Sequence, residues 1–190
     1  MAEIVLFHHI QGLTPGVTAL ADAMRGAGHT VQTPDLFEGR TFDSIEEGFG
    51  YAQQTGFDEL GARADRAVEG VGAGVVWAGI SAGVMNAQRL AQTRPGARGA
   101  LLLEACVPPS EFGSWPEGLR AQVHGMDHDP FFAEEGDVDA ARAMAAEHAG
   151  VEVFTYPGDR HLFCDSSLPS YDAEATALMT ERTLGFLQGL

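Results

Sequence analysis

The chain has 190 residues, enough for one domain with a substantial core, and 45% of them are hydrophobic, as in an ordinary soluble globular protein. Its formal net charge of -16 opposes binding to nucleic acid or to an anionic membrane surface. No lysine occurs, so every fixed positive side chain is an arginine. Cys106 and Cys164 are too few for a disulfide framework and read as small reduced residues. Met1-Ala2-Glu3 leads directly into an apolar run, with no cleavable signal pattern and no span-length apolar segment. The expected compartment is therefore cytoplasmic.

Glu3 to His8 reads as a buried strand, followed by the loop His9 to Leu13. Thr14 then caps a helix with Pro15 in its first turn. Val17, Leu20, Ala21 and Met24 form its apolar face, and Gly26 and Gly28 end it. A second strand covers His29 to Thr33. After the loop Leu36 to Phe42, Asp43 or Ser44 caps a helical region that runs to Glu69. Gly48, Gly50 and Gly56 are expected to break that region into a short and a longer helix.

Val75 opens a third strand that ends in Gly79-Ile80-Ser81-Ala82-Gly83, and Val84 to Ala91 continues as helix. Strand, G-x-S-x-G and helix together make the context of a nucleophile elbow, a sharp turn that small flanking residues permit. Further strands read over Ala100 to Ala105, Arg120 to His124 and Val151 to Tyr156. A helix from Asp137 or Asp139 to Ala149, with Gly150 as its C-cap, separates the last two. Pro157 to Tyr171 is a loop, and Asp172 to Leu187 a closing helix.

Strands alternating with helices predict an α/β three-layer sandwich over residues 1–190. The expected sheet is mostly parallel and doubly wound, with about six strands and no separate cap domain. Ligands in such folds bind beyond the carboxyl ends of the strands. That edge should carry His8-His9, Ser81, Glu104 to Cys106, His124 to Asp129 and Asp159 to Asp165. Serine, aspartate and histidine follow one another in α/β-hydrolase order. Ser81 would be the nucleophile and His161 its general base, with Asp127 or Asp129 orienting the imidazole. The backbone N–H groups of Ala82 and Ile10 would receive the oxyanion. This chemistry needs no metal and no organic cofactor. His8, His9, His124, His128 and Asp129 share the sheet edge, but their spacing matches no standard zinc pattern.

Ile4 to Leu13, Thr33-Pro34-Asp35-Leu36-Phe37, the elbow, Asp129-Pro130-Phe131 and Tyr156-Pro157-Gly158 with His161 resemble the dienelactone hydrolase family of α/β-hydrolases in the same order. Alignment on Asp129-Pro130-Phe131 favours Asp129 over Asp127 as the acid. The resemblance implies hydrolysis of esters and lactones through an acyl-enzyme.

The chain departs from the family pattern at three positions. Ser81 stands where characterised members use cysteine, and His9 where they carry a glutamate. Asp165 stands where an arginine holds the substrate carboxylate, and a carboxylate there is expected to repel an anionic lactone. His9, Gln11, Arg40, Cys106, Phe131, Arg160 and Leu162 are expected to line the substrate site. The sequence thus points to a hydrolase of small esters or lactones, and a homodimer is compatible with it. The alternatives are an inactive scaffold that binds small molecules, or a thioesterase or acyltransferase using the same residues.

Overall fold

A computed structural model describes all of residues 1–190. Its sheet has six strands: β1 (Glu3–Phe7), β2 (Thr30–Gln32), β3 (Val75–Ile80), β4 (Gly99–Leu103), β5 (Ala121–Met126) and β6 (Val151–Tyr156). They lie in the order β2-β1-β3-β4-β5-β6, and every neighbouring pair is parallel. The helices are α1 (Pro15–Gly26), α2 (Ile45–Thr55), α3 (Phe57–Ala67), α4 (Ala82–Thr93), α5 (Asp137–Glu147) and α6 (Ala173–Gly189). The doubly wound α/β architecture expected from the sequence is the observed one.

Burial explains which strands sit where. Every residue of β3, β4 and β5 is buried, as a strand covered on both faces must be. β2 and β6 carry exposed as well as buried positions and form the two edges. Within β3, Val75 and Trp77 pack with Leu60, Ala64, Ala87 and Met144 from α3, α4 and α5. Val76, Ala78 and Ile80 point the other way, into a second core with residues of α1 and α6.

Local signals set the helix ends. Thr14 accepts from Val17 N–H at the start of α1, Ser44 from Glu47 N–H at α2, and Asp172 from Ala175 N–H at α6. Two expectations are corrected. Gly150 does not cap α5, which stops at Glu147 with His148 as its C-cap. Gly48 and Gly50 do not break α2, which continues through both to Thr55. Gly48 is there because the helix presses on the loop after β1. A Cβ at that position would lie 2.0 Å from the Ile10 carbonyl oxygen. No helix is long and apolar enough to cross a membrane.

Candidate active site

The parallel sheet brings the loops after β1, β3, β4, β5 and β6 to one edge. Ser81 sits between β3 and α4 with φ 49° and ψ -118°, a backbone region that side chains rarely adopt. Such strain costs of order 1–3 kcal/mol and persists only where the surroundings hold it. Here Ser81 N–H donates to the Leu103 carbonyl at 2.7 Å, and its own carbonyl accepts from Val84 N–H at 2.8 Å. The flanking glycines are obligatory. A Cβ at Gly79 would lie 2.4 Å from the Gly83 backbone, and one at Gly83 2.4 Å from the Phe7 carbonyl oxygen.

Ser81 Oγ lies 2.8 Å from His161 Nε2, and His161 Nδ1 lies 2.7 Å from Asp129 Oδ2. Asp129 can only accept, which places the imidazole proton on Nδ1 and leaves Nε2 free to accept from the serine hydroxyl. Asp129 is fully buried, and its other oxygen accepts from the N–H groups of Phe131 and Phe132. Burial pushes the His161 imidazole down. The hydrogen bond that His161 donates to Asp129 and the charges of Glu104, Asp129 and Asp137 outweigh that, and its pKa is raised above 6.5. The N–H groups of Ile10 and Ala82 donate to no protein acceptor. Both residues border one cavity of about 620 Å³.

Of the other residues singled out in the sequence, Asp127 and Asp165 are placed differently, whereas His9 borders the cavity as expected. Asp127 is exposed and accepts from Gly158 N–H at 3.0 Å, so it ties two loops together instead of orienting His161. His9 is buried, with Nε2 2.7 Å from Asp165 Oδ2, while its Nδ1 accepts from Gln11 N–H. Asp165 is also buried and accepts from the Thr14 hydroxyl and from the Ser167 N–H and hydroxyl. Burial pushes its carboxyl up, but the bonds from His9, Ser167 and Thr14 prevail and hold it down at about 2. Asp165 therefore faces the protein interior, and the expected repulsion of an anionic substrate cannot come from it. The pair fastens the loop after β1 to the loop that carries His161.

Several residues expected to line the substrate site do not line the cavity. Gln11 is buried and donates to the Phe42 carbonyl, and Arg40 is exposed beside the Tyr51 ring. Arg160 turns to the Tyr171 carbonyl. Cys106 and Leu162 are buried, the Cys106 thiol pushed up to about 12 by burial and by the nearby Asp137. Phe131 does stand at the site, its ring centroid 4.6 Å from that of His161. His8, His9, His124 and His128 do not gather around Asp129. The cluster that does is Glu104, Asp129 and His161, with ligand-type atoms within 4.8 Å of one another.

Glu104, which the sequence places on the functional edge, received no role there. It directly follows β4, with φ 63°, and is fully buried. Its carboxyl accepts from the N–H groups of Leu162, Phe163 and Cys164 and lies 3.9 Å from His161 Nδ1. Burial raises its pKa. The available signal was an acid closing the run Leu101-Leu102-Leu103, at a strand end on the functional edge.

A parallel doubly wound sheet with a strained serine at a strand-to-helix elbow defines an α/β-hydrolase fold. The dienelactone hydrolase family model matches residues 119–190, the segment holding Asp129, His161 and Asp165, so the resemblance to that family is shown there. No curated protein matches the chain in sequence. Among solved structures, a dienelactone hydrolase-like promiscuous phosphotriesterase from metagenomic libraries is similar. Its TM-score is 0.79 at 18% identity, over 100% of this chain and 87% of that one. Thermogutta terrifontis esterase 2 phosphoramylated by tabun gives a TM-score of 0.72 at 16% identity, over 99% of this chain and 83% of that one. Its apo form gives 0.69 at 17% identity, over 97% and 83%. At these identities the likeness is one of fold.

Proposed function

We propose that the protein is a serine hydrolase that cleaves small esters or lactones through an acyl-enzyme. The observation that carries this reading is the unbroken chain of contacts from Ser81 Oγ through His161 to Asp129, at 2.8 and 2.7 Å, with the serine held on a strained elbow. A scaffold without turnover has no need to hold nucleophile and base in hydrogen-bond reach. The esterase and phosphotriesterase among the structural neighbours are consistent with the same chemistry.

In this mechanism His161 Nε2 takes the Ser81 proton as Oγ attacks the acyl carbon. The carbonyl oxygen becomes an oxyanion and accepts from the Ile10 and Ala82 N–H groups. The positive imidazolium is stabilised by Asp129. Collapse breaks the bond to the alcohol oxygen, which takes the proton from Nε2. Water then repeats the sequence on the acyl-serine, with His161 again accepting and returning the proton, and releases the acid.

The test is p-nitrophenyl acetate hydrolysis by wild type and Ser81→Ala. The wild type should turn over, and the variant should lose on the order of a thousandfold or more in kcat. Equal rates in the two proteins would refute the assignment.

A further inference from the structure

The cavity beside the elbow is built for a particular kind of substrate group. Ile10 and Ala82, whose N–H groups are the proposed oxyanion donors, are on its lining together with Gly83, two residues after Ser81. Its walls are Leu36 and Phe37 from the loop after β2, Phe57 and Leu60 from α3, Met85 from α4, and Phe112. Phe57 and Met85 are 56% and 45% exposed, which leaves large apolar surface open to water at the mouth. Covering such surface with another apolar group yields about 25 cal/mol per Å². The volume of about 620 Å³ exceeds what an acetyl group needs and falls in the range that holds a drug-sized ligand.

The charges around the cavity exclude a second class of group. Arg89 is the one arginine on its lining, and its Nη2 is taken by Asp65 Oδ1 at 2.7 Å. Asp58 lines the same space and has no cationic partner. His8 offers no free nitrogen. Its Nδ1–H donates to the His9 carbonyl, its Nε2 accepts from Leu36 N–H, and burial pushes its pKa down to about 4. A carboxylate entering the cavity would meet two acidic side chains and a single cation already paired with one of them, in a chain already at -16.

We infer that the cavity between α3 and α4 selects esters carrying a bulky, uncharged, apolar group, and that it rejects anionic ones. This rests on the serine-hydrolase reading. It makes the site unsuited to a substrate held by its carboxylate, for a reason located at Asp58, Asp65 and Arg89 and not at Asp165.

Two matched sets test it on either side of the ester bond. The acyl set is the p-nitrophenyl esters of acetate, phenylacetate and hemisuccinate. The alcohol set is phenyl acetate, 1-naphthyl acetate and 4-acetoxybenzoate. In at least one set the bulky neutral member should exceed the small one by roughly tenfold or more in kcat/KM, and the anionic member should fall below both. Phe57→Ala and Phe112→Ala should each lower kcat/KM for the preferred bulky ester several-fold more than for its small counterpart. Asp65→Asn, which releases Arg89, should raise kcat/KM for the anionic ester relative to wild type. Flat profiles in both sets, with the small esters still cleaved, would overturn the inference alone. No cleavage of any ester would overturn the hydrolase reading and the inference with it.

Discussion

Glu104 and Asp129 approach the same imidazole nitrogen, but only Asp129, at 2.7 Å against 3.9 Å, is placed to hydrogen-bond it. Glu104 acts as a positioning residue, anchoring three successive N–H groups of the loop that holds His161 and adding a negative charge beside it. Its charge helps keep the His161 pKa above 6.5, so it favours the imidazolium and delays the neutral base as pH rises. Glu104→Gln should therefore move the acid limb of kcat/KM to lower pH, read from a pH profile of ester hydrolysis. Hydrogen bonds to a charged acceptor are worth about 1.5–3 kcal/mol each, so the same variant should also melt at a lower temperature. An unmoved acid limb with a lowered Tm would leave Glu104 a purely structural group.

At the scale of elements, α2 and the loop after β1 are fitted to each other through Gly48. A glycine inside a helix ordinarily costs about 1 kcal/mol relative to alanine, so Gly48→Ala would stabilise a merely helical position. The 2.0 Å approach to the Ile10 carbonyl oxygen reverses the sign, because the added methyl must push the helix or the loop away. Overpacking of this kind costs about 1–3 kcal/mol. The loop also carries the Ile10 N–H, so kcat should fall by roughly tenfold to a hundredfold, more than KM rises. Thermal melting and steady-state kinetics on Gly48→Ala check both effects. By contrast, Gly50 meets no neighbour within 4 Å, and Gly50→Ala is the control.

The elements were legible where apolar runs and caps set them. The strand opened by Val75, the strand read over Ala100 to Ala105 (Gly99–Leu103 in the structure) and the Thr14-Pro15 start follow from patterning and capping alone. Strand-end placement and chain order likewise sufficed to single out Ser81, His161 and, with the resemblance, Asp129. What the sequence hid was packing. Gly48 looked like a helix breaker because its neighbour Ile10 lies 38 positions away in the chain. Asp165 looked like a substrate-facing charge because nothing local shows its burial against His9, Thr14 and Ser167. The cavity walls come from α3, α4 and two loops, and no single stretch announces that they meet.

The whole molecule carries a second pH dependence, set by histidines held neutral in the core. Burial lowers the pKa of His8 to about 4, and that of His124, which also feels Arg182, to about 3. His124 lies within β5, between the Tyr156 hydroxyl and the Gln122 side chain. Both groups charge more readily in the unfolded chain, which binds more protons between pH 6.5 and about 3. Their contribution to stability is complete above pH 6.5 and is lost as the pH falls through that window. Denaturant titrations at several pH values should show a shallower pH dependence in His124→Gln than in wild type. An identical slope would mean that His124 is no source of it.

In the proposed mechanism Ser81 forms a covalent acyl-enzyme with His161 as its base. Intact-protein mass spectrometry after brief exposure to a fluorophosphonate tests it most directly, with peptide mapping to locate the adduct. Wild type should form one adduct, on Ser81, and its formation should be slowed strongly in His161→Ala. An unmodified Ser81 in protein that is cleaving ester, or an adduct on another residue whose loss stops cleavage, would contradict it.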